Sequence, residues 1–134
     1  MALGEVRPGQ TVLDLGSGAG LDSLLAARRV GPTGKVVGVD LCPEMVEKAR
    51  RKASLLGLNN TEFVEAGVEK VPLPDGSVDV VISNGVFNLC PDKPGVLAEA
   101  FRVLRPGGRL QMADILLHDN VTPQEVASKG TWSD

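Results

Sequence analysis

Three glycines stand at alternate positions in the stretch Asp14-Leu15-Gly16-Ser17-Gly18-Ala19-Gly20, after an apolar run and before a helical pattern. Glycine reaches positive φ without strain and lets a ligand lie close against the backbone. The helix start that follows offers free N–H groups and the positive end of its dipole. The spacing is GxGxG. It is neither the GxGxxG of a dinucleotide fold nor a loop ending in Gly-Lys-Ser/Thr, as a P-loop does. Asp14, at the end of the apolar run, repels a pyrophosphate and suits an amino group. Asp40 stands where an acid accepts hydrogen bonds from both hydroxyls of a ribose. The ligand so described has a ribose, a positively charged part and no phosphate to grip. S-adenosylmethionine has these features in its adenosine, amino-acid tail and sulfonium. Two plainer readings stand beside this one: a glycine-rich turn that is only structural, and Asp40 as a helix N-cap.

The elements that must hold these residues are legible in outline. Thr11 to Leu15 (TVLDL) reads as a short buried strand between Pro8-Gly9 and Gly16. Leu21, Leu24, Leu25 and Arg28 fall at helical spacing within Leu21 to Val30, and Gly31-Pro32-Thr33-Gly34 ends that helix. Lys35 to Val39 is a second buried strand that ends at Asp40. Pro43 to Leu56 is an amphipathic helix with Met45, Val46, Ala49, Ala53 and Leu56 on its apolar face. Its charged residues, Glu44, Glu47, Lys48, Arg50, Arg51 and Lys52, read as a solvated face with i,i+3 and i,i+4 pairs. Thr61 to Glu65 and Val78 to Ser83 are further strands. Pro94 to Leu104 is a helix, and Arg109 to Leu117 is the fifth strand. Strands alternating with helices predict an α/β fold with a parallel sheet covered on both faces. In such sheets ligands sit at the carboxyl ends of the strands, where the loops discussed here lie.

Composition narrows the classes. Of 134 residues, 43% are hydrophobic and 23% charged, as in an ordinary globular domain. The net charge of −3 argues against a nucleic-acid partner, which needs a basic face. No apolar run approaches the ~20 residues that span a bilayer, so no membrane partner is expected. The first ten residues show no basic region followed by an apolar one, so the expected location is cytoplasmic. Cys42 and Cys90 make no disulfide framework, and no metal-ligand spacing emerges. His118, the sole histidine, reads as a surface residue beyond the fifth strand or as a base.

At this point the sequence resembles the class I S-adenosylmethionine-dependent methyltransferases. VLDLGSGAG resembles their first motif, VVGVD their second-strand acid and VLRPGGRL the approach to their fifth strand. The resemblance runs from about Pro8 to Leu117. It implies a Rossmann-like doubly wound sheet of five parallel strands in the order 3-2-1-4-5, lacking the last two strands usual in the superfamily. A narrower resemblance is to arsenite methyltransferases, carried by Asp22, the turn VGPTGKV and the segment SNGVFNLCPDK. It implies methyl transfer from S-adenosylmethionine to trivalent arsenic held by thiolates, or to another small acceptor.

The sequence departs from that pattern at named places. Gly85 stands where the family has a cysteine after Ser-Asn, and soft arsenic(III) calls for thiolate ligands. Gly67 stands where the family has an acidic residue near the adenine, although Val68 still offers a backbone N–H there. The implied cofactor site comprises Gly16, Ser17, Gly18 and Gly20 at the amino-acid tail, with Asp14 toward its ammonium. Asp40 takes the ribose, Leu41, Cys42 and Val68 flank the adenine, and Asn84 lies near the transferred methyl. Gly85, Asn88 and Cys90 are the acceptor-side candidates; no general base is identified. The chain reads as one such domain over residues 1–134, a core cut short, with a weakly structured tail over 118–134. The expected product is S-adenosylhomocysteine. An open fifth strand beside Leu110, Met112, Ile115 and Leu116 predicts a homodimer through that edge. The alternative function is a non-catalytic cofactor-binding module that has lost its acceptor site.

Overall fold

The computed structural model of the chain describes residues 6–83 and 92–112. The elements run β1 (Thr11–Leu15), α1 (Leu21–Val30), β2 (Lys35–Asp40), α2 (Pro43–Leu55), β3 (Thr61–Glu65), β4 (Val78–Ser83), α3 (Lys93–Val103) and β5 (Leu104–Met112). The five strands form one sheet in the order β3-β2-β1-β4-β5, and every pairing is parallel. This is the order and sense expected from the sequence. β1 lies at the centre, so its carboxyl end adjoins both the β2 and β4 loops. The chain order reverses there, at the place where open α/β sheets bind ligands.

The alternation of side chains along the strands divides the core in two. Val12, Val36, Val80 and Ile82 face α1, meeting Ala27 and Val30. Leu13, Leu15, Val37, Val39 and Val81 face the other way and pack on α3 through Val96, Ala100 and Val103. α2 joins the α1 side, where Val46, Ala49 and Ala53 close around Phe63 of β3 and Leu24 of α1. Both faces of the sheet are thus buried, which explains the near-continuous apolar runs of β1, β2 and β4.

Two expectations are corrected, and the face that α1 buries is added to the sequence reading. α1 buries Ser23, Leu24, Ala26, Ala27 and Val30, while Leu21 (71% exposed), Leu25 and Arg28 point to solvent. The small residues let the helix lie close to the sheet, which the leucine spacing did not reveal. Arg50 is not merely part of a solvated face. It pairs with Glu47 at 2.9 Å, as an i,i+3 pair should, and also donates to the Phe63 carbonyl of β3 at 2.8 and 3.1 Å. β5 begins at Leu104, and its register against β4 is irregular between Val78 and Val80, so Arg105-Pro106-Gly107-Gly108 bulges out before regular pairing resumes at Arg109. Arg105 ties this bulge to β4 through an ion pair with Asp79, whose other oxygen accepts from the Thr11 N–H at 2.8 Å. Ile115, Leu116, His118 and the segment 118–134 lie outside the described residues. Among the described residues, no helix is long and apolar enough to cross a membrane.

Candidate functional site

The glycine loop leaves β1 with Gly16, Gly18 and Gly20 at φ of 68°, 57° and 91°, so each sits in the left-handed region that favours glycine. Two bonds shape the loop. The Ser17 N–H donates to the Val39 carbonyl of β2 at 2.9 Å, and the Gly20 N–H donates to the Ser17 carbonyl at 3.0 Å. Among the described residues, a Cβ placed at Gly18 meets nothing within 4 Å, so they leave the loop open on its outer side. Gly20 differs. A Cβ there stands 2.9 Å from Ala49 Cβ and 3.3 Å from the Phe63 ring, so this glycine allows α1 to begin close against α2.

Asp40 joins the loop to the next crossover. Its Oδ2 accepts from the Gly18 N–H at 2.9 Å and its Oδ1 from the Cys42 N–H at 2.8 Å. The two readings of Asp40 therefore meet in one carboxylate, which helps to cap the start of α2 and braces the glycine loop. Each carboxylate oxygen has a second lone pair, so the half-buried group still has capacity for two hydroxyl donors.

Asp14 lies deeper than the sequence suggests. It is 3% exposed, points to the α1 face, and its Oδ2 accepts from the Ser23 Oγ at 2.7 Å. Burial pushes its carboxyl up to about 7. The Ser23 hydrogen bond opposes the shift, and the nearby charges of Asp22 and Asp40 add to it. Asp14 thus sits beneath the loop and not in its open mouth. Ser23 is a partner that sequence reasoning missed, because a serine in a helix gives no signal of what it faces. Among the described residues, Ser17 Oγ in the loop and Ser83 Oγ at the end of β4 are buried and meet no hydrogen-bond partner.

The remaining predicted residues divide. Leu41 is 69% exposed beside the site, and Cys42 is the half-buried N-cap residue of α2, a free cysteine. Val68 is buried under the loop that follows β3. That loop is held beside Asp40 by the Ala66 N–H, which donates to the Asp40 carbonyl at 3.1 Å. The structure thus brings Gly16, Ser17, Gly18, Asp40, Leu41, Cys42 and Val68 to the carboxyl edges of three adjacent strands, β1, β2 and β3. Asn84, Gly85, Asn88 and Cys90 lie outside the described residues. Sequence reasoning also passed over Gly38. A Cβ there falls 2.8 Å from the Phe63 ring and 2.9 Å from Ser17 Cβ. A glycine inside a strand was the available signal of such a close approach.

A family profile described as a methyltransferase domain matches residues 7–133. The chain belongs to this methyltransferase family. Its relatives place it with the class I S-adenosylmethionine-dependent methyltransferases, near the arsenite methyltransferases. It is 50% identical over 115 residues to an arsenite methyltransferase of Halobacterium salinarum, covering 86% of this chain and 29% of that protein. It is 45% identical over 107 residues to a ubiquinone/menaquinone biosynthesis C-methyltransferase of Escherichia coli, covering 78% of this chain and 42% of that one. Among solved structures, an arsenic(III) S-adenosylmethionine methyltransferase from Chlamydomonas reinhardtii superposes with a TM-score of 0.74. There the identity is 42%, with 80% of this chain and 39% of that one covered. The chain therefore spans less than half the length of these relatives.

Proposed function

We propose that this domain binds S-adenosylmethionine at the carboxyl edges of β1, β2 and β3 and directs its methyl group to a small acceptor. The observation that carries the reading is the Asp40 carboxylate. It is fixed by two backbone N–H groups, with lone pairs left for a ribose, beside a glycine loop that is open at Gly18. The residues present fit such a cofactor. Gly16, Ser17 and Gly18 present backbone to an amino-acid tail, and the unpartnered Ser17 hydroxyl stands ready to bond it. Asp14 lies beneath the loop, where its negative form favours an ammonium at short range. Leu41, Cys42 and Val68 flank the base.

When bound, the cofactor supplies a methyl group already activated on a sulfonium, so the protein's task is to position the reactants and exclude water. The S–CH₃ bond breaks, its electron pair stays on sulfur to give S-adenosylhomocysteine, and a lone pair of the acceptor forms the new bond. The acceptor proposed is trivalent arsenic carried by thiolates, as the relationship to arsenite methyltransferases suggests. The family match across most of the chain favours catalysis over a non-catalytic module. Asn84, Gly85, Asn88 and Cys90 follow β4 in sequence and are proposed for the acceptor side, in a cytoplasmic enzyme. Incubation with methyl-labelled cofactor, arsenite and a free thiol tests this. Labelled methylarsenic supports the proposal. Cofactor binding without any labelled arsenic product contradicts the acceptor and leaves the cofactor assignment standing.

Among the described residues β5 is the outer strand beyond β4. Its outer edge is proposed as a pairing surface for a second copy, which sedimentation of the full chain tests: a dimer supports it and a stable monomer contradicts it.

A further inference from the structure

We infer that Glu99 and Arg102 of α3 are positioning residues for the cofactor, which together hold the loop after β3 so that Val68 meets the adenine. The inference rests on the S-adenosylmethionine reading above and adds to it two residues that touch no ligand. The loop over 66–77 joins β3 to β4 outside the sheet, so its backbone groups need partners elsewhere. At its start the Ala66 N–H reaches the Asp40 carbonyl at 3.1 Å. A turn follows, closed by the Lys70 N–H to the Gly67 carbonyl at 3.3 Å. Val68 lies inside that turn, so its place is set by what holds the loop on either side.

The far hold is a grip on Val71. Its N–H donates to Glu99 Oε2 at 2.5 Å, and its carbonyl accepts from Arg102 Nη2 at 3.0 Å. Glu99 and Arg102 stand three residues apart on α3. The guanidinium fork meets the carboxylate through two bonds, at 2.6 and 2.9 Å, while Oε2 and Nη2 serve the loop as well. Arg102 keeps the Glu99 carboxyl below the usual carboxylate range, so the acceptor stays charged. Arg102 also pairs with Asp75, whose side chain is 82% exposed against 12% for Glu99. Exposed ion pairs contribute little, so the hold lies with Glu99. The Gly76 N–H adds a bond to the Arg102 carbonyl at 2.9 Å. Val68 and Val71 enter the same apolar cluster as Leu97 and Ala100 of α3, so packing and hydrogen bonds tie the loop to one helix.

The test is titration calorimetry of the full chain with S-adenosylhomocysteine, run as a double-mutant cycle. Glu99→Ala should weaken binding at least about fivefold, the scale of one hydrogen bond, in a chain that circular dichroism shows folded. Val68→Ala should weaken it as well. Because Glu99 acts through Val68, the double variant should bind within about twofold of the weaker single one. Asp75→Ala should stay within about twofold of wild type. Should Glu99→Ala fail to fold, Glu99→Asp, whose carboxylate is one methylene short of Val71, takes its place in the cycle on the same terms. Three results overturn the inference while the cofactor reading stands: a Glu99 or Val68 variant that binds like wild type, losses that multiply in the double variant, or a loss in Asp75→Ala equal to that in Glu99→Ala. Wild type that binds no S-adenosylhomocysteine overturns both.

Discussion

Asp40 and Asp14 lie on neighbouring strands, and their surroundings assign them different work. Asp40 is held by the N–H groups of Gly18 and Cys42, so its removal loosens the loop as well as the ligand. Asp40→Ala should weaken S-adenosylmethionine binding at least tenfold, since a hydrogen bond to a charged group is worth about 1.5–3 kcal/mol. Asp14 is a buried acid whose carboxyl is pushed up to about 7 from an ordinary value of 3.8. Between those two values the folded chain keeps a proton that the unfolded chain has lost. The cost of burying the charge is therefore absent below about pH 4, grows as pH rises, and is complete above about pH 7. Asp14→Asn should be more stable than wild type at pH 8 by up to about 4 kcal/mol. The advantage should vanish near pH 4, as urea unfolding at the two pH values will show. Both acids were read in the sequence as members of one proposed site. The depth of Asp14 was not, because it depends on Ser23 and on how closely α1 lies over the sheet.

At the scale of elements, the site depends on glycines that let three elements converge. Gly20 lies against Ala49 of α2 and Phe63 of β3, and Gly38 of β2 lies between Phe63 and Ser17 of the loop. Gly20→Ala adds a methyl group that must displace Ala49, at a φ of +91° that side chains resist. Together these cost about 2–4 kcal/mol, and thermal unfolding should register the loss. Gly18→Ala has open space and only the backbone strain, about 1–2 kcal/mol, so it should destabilise less. β1 to β4 and the three helices were read almost to the residue, because short apolar runs bounded by Gly and Pro leave few alternatives, whereas β5 begins five residues before the Arg109 expected. The buried face of α1 was not read from the sequence. Small residues such as Ala26 and Ala27 allow close approach to a sheet but carry little hydropathy signal. The bulge before Arg109 was missed because pairing across strands is a tertiary property that a Pro-Gly-Gly turn does not encode.

For the whole molecule, the order β3-β2-β1-β4-β5 puts the ends of β1, β2 and β3 side by side, where the donor site is proposed. The chain is 50% identical to an arsenite methyltransferase and 45% identical to a ubiquinone/menaquinone biosynthesis C-methyltransferase, so identity alone does not choose the acceptor. The acceptor is therefore to be sought elsewhere than in the glycine loop. Gly85, in place of the family cysteine, is the residue at which this chain parts from the arsenite pattern. The central claim is the donor site itself, and titration calorimetry of S-adenosylmethionine into wild type and Asp40→Ala tests it most directly. Wild type should bind one cofactor per chain, and a variant that remains folded should bind it at least about tenfold more weakly. Absence of binding in wild type, or equal binding in the two proteins, would contradict it.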